Sequence, residues 1–493
     1  MAYLYGASIQ GIQDFIFETN KLKEIIGASD LIERFCSIGF MGRFSKKYNF
    51  DIVDNNVLRN AGGNIRIIFE NKTDLEYMVK FFPQYIMNMA YGITISQAVV
   101  EYDEGTYLEK VKHLEQKLKY DRNKASLPLD SKFAVMMQSP RTGKPAVAKK
   151  NKEYFDNASW QKRSNAEESK VNILLEKLNL EEIFEKFPQD MEEISNKNNK
   201  VAVIHADGNK MGLMLQQINK DLKDKSTKEI QDIFKEFSVQ ITEATNSAVE
   251  EAFKNSFSTD NDTIPFRPIV IGGDDVTVIC SAEHALDFTE KYLRNFENNT
   301  EKLFAKANLS QYESKLTACA GIVYCNEKFP FHYAVDLAEK LCDFAKKESD
   351  RKASCLAFHN VQSSYFTDYK SYVSNELITK DNISLQYAPY YVDQYEDKPT
   401  IDALNKLFNV FNAEGVPTGK FRSWLSELHK NKEYAALNLE RIEAVLESQV
   451  KKNIKDALEA LNPTLKISTL IDGQNKTPMH DVLQLKSVLQ GSK

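Results

Sequence analysis

A chain of 493 residues, 42% hydrophobic and 27% charged, has the makeup of a soluble globular protein of three or four domains. A net charge of −6 excludes a surface given over wholly to nucleic-acid phosphates, and no signal peptide or membrane-length apolar run is present. The cytoplasm is therefore the expected location, with no membrane partner.

The first patterned element is Gly62-Gly-Asn-Ile-Arg-Ile-Ile-Phe69, a glycine-bearing hairpin, followed by helical sequence and a closing strand at Gly92-Ile-Thr-Ile95. Within 138–163, seven Lys or Arg residues face only Glu153 and Asp156, with Tyr154 and Trp160 among them. Two readings stand: a solvated flexible linker, or a surface touching RNA phosphates or a neighbouring subunit. Residues 167–200 are mixed-charge helical sequence, a connector.

A short apolar run at 201–204 suits a buried strand, with Asp207 just past its end. Helical sequence follows from 210 to about 254, then a strand near 268–271, the turn Gly272-Gly-Asp-Asp275 and a strand at 276–280. A helix is predicted from 282 to about 307, with Leu286, Tyr292, Leu293 and Phe296 inward. A strand at 316–324 and a helix at 333–347 complete β-α-β-β-α-β, the ferredoxin-like split unit. Gly62 to Phe69 echoes Gly273 to Cys280, and Gly92 to Ile95 echoes Gly321 to Tyr324, so the unit occurs twice. Asn64 stands in the first copy where a metal-binding carboxylate would be expected.

Seven tyrosines lie between Tyr365 and Tyr395, either packed between domains or stacking on nucleic acid. Beyond them, Leu404, Leu407, Phe408 and Phe411 mark a helical bundle, broken at Gly415-Val-Pro-Thr-Gly419. Six cysteines (36, 280, 319, 325, 342, 355) form no Cys-x-x-Cys pair, and those at 280, 319 and 325 read as buried free thiols.

The chemistry concentrates at Asp207, Asp274 and Asp275. Adjacent carboxylates repel, and a hard cation such as Mg²⁺ offsets that by taking oxygen ligands. Gly272 and Gly273 let the hairpin turn and let a substrate approach its backbone. A strand-end carboxylate beside two more at a hairpin tip is the arrangement of polymerase and cyclase palms, where metal ions align a hydroxyl with a nucleoside triphosphate. By itself, Gly272-Gly-Asp-Asp275 is equally a plain surface turn. An EF-hand reading of Asp207-x-Asn209 fails, because Met211 and Ile218 occupy the fifth and twelfth positions. RNA-binding modules share the topology, but no aromatic RNP-like motif accompanies it here.

On these residues the chain resembles the large palm-domain subunit of type III CRISPR effector complexes, the signalling subunit that converts ATP into cyclic oligoadenylates. Four stretches carry the resemblance. They are Ser8-Ile-Gln-Gly-Ile-Gln-Asp-Phe-Ile-Phe17 with Lys21-Leu-Lys-Glu-Ile-Ile-Gly-Ala-Ser-Asp-Leu-Ile32; Asp207-Gly-Asn; Gly272-Gly-Asp-Asp275; and Ala320-Gly-Ile322 through Ala338-Glu-Lys-Leu341 to Ala345-Lys346. The resemblance implies Asp207, Asp274 and Asp275 as Mg²⁺ or Mn²⁺ ligands and catalytic residues. It implies ATP as substrate, with Gly208 and Asn209 offering backbone amides to the triphosphate and Lys210 or Lys346 neutralising it. Lys346 is equally read as a solvated residue at a helix end. Ser29, Gly62 and Gly63 would line the acceptor nucleotide's site, and Ser29 is equally an ordinary packed helix residue.

Three departures from the family stand out. Asn209 replaces a second acidic residue. The Thr-Gly-x-Pro-Ala stretch near 142–146 has no cysteine around it, so no zinc is expected. The histidine-aspartate nuclease domain is expected to be missing, His480-Asp481 being an isolated dipeptide.

The expected fold is thus α+β, with two ferredoxin-like palm domains, a helical connector and a C-terminal helical bundle. Its divisions are a first palm with a degenerate hairpin at 1–125, a linker and connector at 126–198, the catalytic palm at 199–362 and a helical domain at 363–493. The expected function is a metal-dependent nucleotidyltransferase making a cyclic oligoadenylate-type messenger, activated by target RNA. Its partners would be other subunits of a type III complex, with CRISPR RNA and target RNA bound through that complex. The alternatives are a guanylate-type cyclase and a non-catalytic scaffold subunit.

Overall fold

The run of apolar residues after Ala2 forms β1 (Ala2–Gln10), which buries six consecutive side chains because both of its edges and both of its faces are covered. The computed structural model describes residues 2–52, 56–103, 106–124, 135–168, 172–222, 225–307, 309–362 and 369–489. β1 pairs antiparallel with β3 (Asn64–Phe69) and β4 (Thr94–Tyr102), and β2 (Val57–Ala61) lies at the edge, giving the order β2-β3-β1-β4. β3 alternates half-buried and buried residues, the period-2 pattern of a strand with one covered face.

The basic stretch after 138 is folded and docked. β5 (Ala146–Lys150) and β6 (Glu153–Asp156) form a hairpin, and helix Asn157–Glu168 packs on helix Leu22–Phe35 of the first palm. Gly27 makes that approach possible, since a Cβ there would stand 1.8 Å from the Lys162 carbonyl oxygen. Five of the seven basic residues are held in ion pairs. Arg141 meets Glu24 (2.8 Å) and Glu153 (2.9 Å), Lys144 and Lys162 meet Glu18 (2.8 and 3.3 Å), and Lys150 and Arg163 meet Glu167. The flexible-linker reading is thereby corrected, because carboxylates from outside the stretch neutralise it.

The second sheet runs β12-β11-β10-β7-β9-β8. Its members are β7 (Lys200–Gly208), β8 (Phe266–Gly272), β9 (Asp275–Ser281), β10 (Ala318–Asn326), β11 (Cys355–Asn360) and β12 (Tyr390–Tyr391). The portion β8-β9-β7-β10 repeats the order of the first sheet strand for strand. Helix Ala285–Lys306 covers the face bearing Phe266 and Cys280, where Phe288 meets Phe266. Helix Phe331–Glu348 covers the other face, on which Gly321 and His205 lie opposite each other.

β12 comes from beyond residue 362, so the sheet of the second palm borrows a strand from the segment expected to be purely helical. Tyr369, Tyr387, Tyr390 and Tyr391 are buried, as packing between domains requires, while Tyr365 lies outside the described residues. Asp481 is buried and accepts from the Tyr387 and Ala388 amides and, at 2.8 Å, from the Tyr390 hydroxyl. Asp481 therefore latches the last helix to the strand that joins the palm sheet. Helices Ile401–Asn412, Thr418–Lys430, Lys432–Val445, Ser448–Leu461 and Met479–Leu489 make up the rest, with Trp424 and Phe411 in their core. Among the described residues no helix is long and apolar enough to cross a membrane.

Candidate active site

Antiparallel pairing of β7 with β9, with Ala206 opposite Val276, brings Asp207 and Asp275 to the same end of neighbouring strands. Gly273 turns the β8–β9 hairpin with φ +68°, a conformation that side-chain-bearing residues rarely adopt, and places Asp274 at the tip. Gly208 lets Asp274 fold over the end of β7, since a Cβ on Gly208 would stand 2.9 Å from both Cβ and Oδ2 of Asp274. On the neighbouring strand Gly321 allows helix Phe331–Glu348 to close on the sheet; a Cβ there would lie 2.0 Å from the Ala338 carbonyl oxygen. That closeness carries Lys346 over the strand ends. Its buried ammonium donates to Asp207 Oδ2 and, at 3.0 Å, to the Gly208 carbonyl. The solvated-lysine reading of Lys346 is corrected.

Of the three carboxylates, the ammonium bonds Asp207. Burial, and then the charge of Asp207, push the Asp274 carboxyl up to about 7. Asp275 is pushed up to about 7 by the same two causes in the same order, with Lys346 pulling the other way. Asp275 keeps 42% of its side chain open, yet its Oδ1 is enclosed and has no hydrogen-bond partner. Among the described residues no three His, Cys, Asp or Glu side chains stand as a ready metal-ligand set. The donor chemistry nevertheless fits a hard divalent cation: all-oxygen groups, excess negative charge and one enclosed acceptor without a partner.

The other expected site residues divide. Asn209 is a correction: its amide N–H donates to the Thr317 carbonyl (2.8 Å), and its buried carboxamide donates to Thr317 Oγ1 (2.9 Å), so neither is free for a triphosphate. Lys210 sits 3.4 Å from Glu313, at the start of helix Met211–Asp221. Ser29 is buried and donates to the Ile269 carbonyl on β8, acting as a strut between the two palms.

The hairpin tips of the two palms meet. A Cβ on Gly272 would stand 3.6 Å from the Cα of Gly62. In the first palm Ser8 lies opposite Asn64, while in the second Asp207 and Asp275 come one residue beyond the Ala206–Val276 pair, and the turns Gly62-Gly63 and Gly273-Asp274 correspond. Ser8, Gly63 and Asn64 thus occupy the three carboxylate positions, and Ser8 Oγ donates to Asn64 Oδ1 at 3.1 Å. The Gly92–Gly321 echo does not survive: Gly92 (φ +96°) lies in the turn before β4, whereas Gly321 is inside β10.

Beside the paired tips opens a cleft of about 660 Å³, lined by Gly62, Gly272 and Gly273 with Ile38, Val239 and Asn246 among its walls. Sequence reasoning assigned no role to His205 or Glu339. The available signal was His205 itself, a polar residue inside the apolar run of β7. It lies 3.4 Å from Asp275 Oδ1, and Glu339 faces it.

Residues 200–355 match the family model described as Cas10/Cmr2, second palm domain. Among solved structures, a Csm1–Csm4 cassette in complex with cA3 is similar over 99% of this chain and 69% of that chain, at 14% identity and a TM-score of 0.54. A Csm1–Csm4 cassette in complex with pppApApA matches over the same shares at 12% identity and 0.53, and one in complex with one ATP at 14% and 0.51. At these identities the likeness is one of fold. No curated protein matches the chain. Over residues 200–355 the chain is thus similar to the second palm domain of the Cas10/Cmr2 family, and its fold is that of the Csm1–Csm4 structures.

Proposed function

We propose that this protein is a metal-dependent nucleotidyltransferase that joins ATP into a cyclic oligoadenylate-type messenger. It would act as the signalling subunit of an RNA-guided type III CRISPR complex, switched on when the complex binds target RNA. The observation that carries this reading is the set Asp207, Asp274 and Asp275, packed so tightly at the strand ends that burial and mutual repulsion hold two of them close to neutrality. Such crowding destabilises a fold and is expected where a cation is to be bound.

Asp207, Asp274 and Asp275 would hold Mg²⁺ or Mn²⁺. When bound, the ion polarises an α-phosphate and makes the attacking 3′-hydroxyl more acidic. In the reaction a 3′–5′ phosphodiester bond forms and pyrophosphate leaves. Gly272 and Gly273 bare the hairpin backbone to the substrate, and Lys346 neutralises charge beside Asp207. The cleft beside Gly62 and Gly272, with its apolar Ile38 and Val239 and its neutral Ser238, Thr242 and Asn246, has the lining of a nucleoside site. The first palm, with Ser8, Gly63 and Asn64 in place of carboxylates, would seat the acceptor and leave metal binding to the second.

The nucleotide-bound Csm1–Csm4 relatives support ATP as substrate and association with other subunits. The test is incubation of the protein, alone and with RNA-bound partner subunits, with ATP or GTP and Mg²⁺ or Mn²⁺, read by mass spectrometry. An adenylate product lost in an Asp274→Ala/Asp275→Ala variant is the expected result. A product from GTP alone would point to a guanylate-type cyclase, and no product under RNA-activated conditions would leave a scaffold.

A further inference from the structure

His205 is a histidine in the middle of a buried strand, with only 7% of its surface exposed. Its Nδ1 lies 3.1 Å from Thr277 Oγ1 and 3.4 Å from Asp275 Oδ1. Thr277 faces it directly across the β7–β9 ladder, so the hydroxyl fixes the ring while the same nitrogen reaches the carboxylate. That carboxylate oxygen is the enclosed one for which no hydrogen-bond partner is found. The charged groups around the ring are Glu339, Asp207, Lys346 and Asp343. Glu339 is itself held by the amide of Gln13, from the first palm. Glu339, tied to the first palm by Gln13, thus acts on the His205 ring through its charge.

A histidine kept only for core packing would have its polar edge met by Thr277 and need no carboxylate. Asp275 lies at the mouth of the site, with two-fifths of its side chain in solvent. Its inner oxygen is the enclosed one, and His205 Nδ1 stands 3.4 Å from it.

We propose that His205 is a positioning residue that fixes the Asp275 carboxylate, leaving the outer oxygen turned to the cation. This inference rests on the proposed metal-binding role of Asp275. Groups that orient a metal ligand typically alter metal affinity by about 10- to 100-fold when removed.

The test uses the full chain and Mn²⁺ alone, by calorimetric titration and by the electron-spin signal of the free ion, with His205→Ala and His205→Asn. The Asn side chain returns an N–H close to the position of Nδ1. His205→Ala is expected to weaken Mn²⁺ binding by about 10-fold or more, and His205→Asn to recover most of the loss. Thermal midpoints of the two variants without metal should agree, which separates positioning from misfolding. Equal Mn²⁺ affinity in His205→Ala and the parent protein would overturn the proposal, as would an Asn variant no better than Ala. A parent protein that binds Mn²⁺ but makes no nucleotide product would overturn the catalytic reading alone. One that binds no Mn²⁺ would overturn both.

Discussion

Replacing Asp274 by Asn should make the metal-free protein more stable. Taking a carboxyl from 3.8 to about 7 costs its charged form about 4 kcal/mol at full effect. Asp274 is only half-buried, and screening reduces this to about 2 kcal/mol. The folded protein holds the proton more tightly than the unfolded chain does. The destabilisation is therefore absent below pH 3.8, accumulates as pH rises, and is complete above about pH 7. The Asn variant keeps the shape and loses the charge, so its advantage should be about 2 kcal/mol at pH 8 and mostly gone by about pH 4. Denaturant melts at both pH values, with and without Mg²⁺, would measure this. Mg²⁺ should stabilise the parent protein at pH 8 and narrow the gap, because the cation supplies what protonation otherwise does. An Asn variant no more stable at pH 8, or a gain that does not change with pH, would refute the electrostatic account of the site.

Other expectations concern packing. Arg141→Ala removes a cation from Glu24, which has no exposed surface and also accepts from the Thr19 hydroxyl at 2.7 Å; a loss of about 3 kcal/mol is expected. Faster hydrogen exchange confined to 146–168 and helix Leu22–Phe35 would confirm that the insert is held there. Gly321→Ala drives a methyl group against the Ala338 carbonyl and should cost about 1–3 kcal/mol in thermal unfolding. Because Lys346 rides on the same helix, nucleotide turnover should fall further than the stability loss explains; unchanged turnover would mean that helix placement does not set the site.

The hairpin and the strand before it were legible because their signals are local. Two glycines at a turn, β-branched neighbours and a carboxylate at a strand end each announce themselves within a few residues. What stayed hidden depended on distant partners. Lys162 pairs with Glu18, 144 residues away, so counting charges within the insert made a docked element look loose. Asn209 looked like a loop residue aimed at phosphate, but its bonds to Thr317, just before β10, reveal that it turns inward. The false echo between Gly92 and Gly321 has a similar origin. Similar spelling in two strands does not fix their register, whereas the pairing of Ser8 with Asn64 and the ladder that carries Asp207 to Asp275 do.

The contact between Gly62 and Gly272 has a consequence for what two like halves can become. A symmetric pair of identical subunits must present the same residues at both tips, and six carboxylates would confront one another where glycine now meets glycine. Two halves on one chain are free of that constraint, and one has given up its charges. Such a molecule has a direction built into it: one tip carries the carboxylates and the other carries none, so the two tips are never interchangeable.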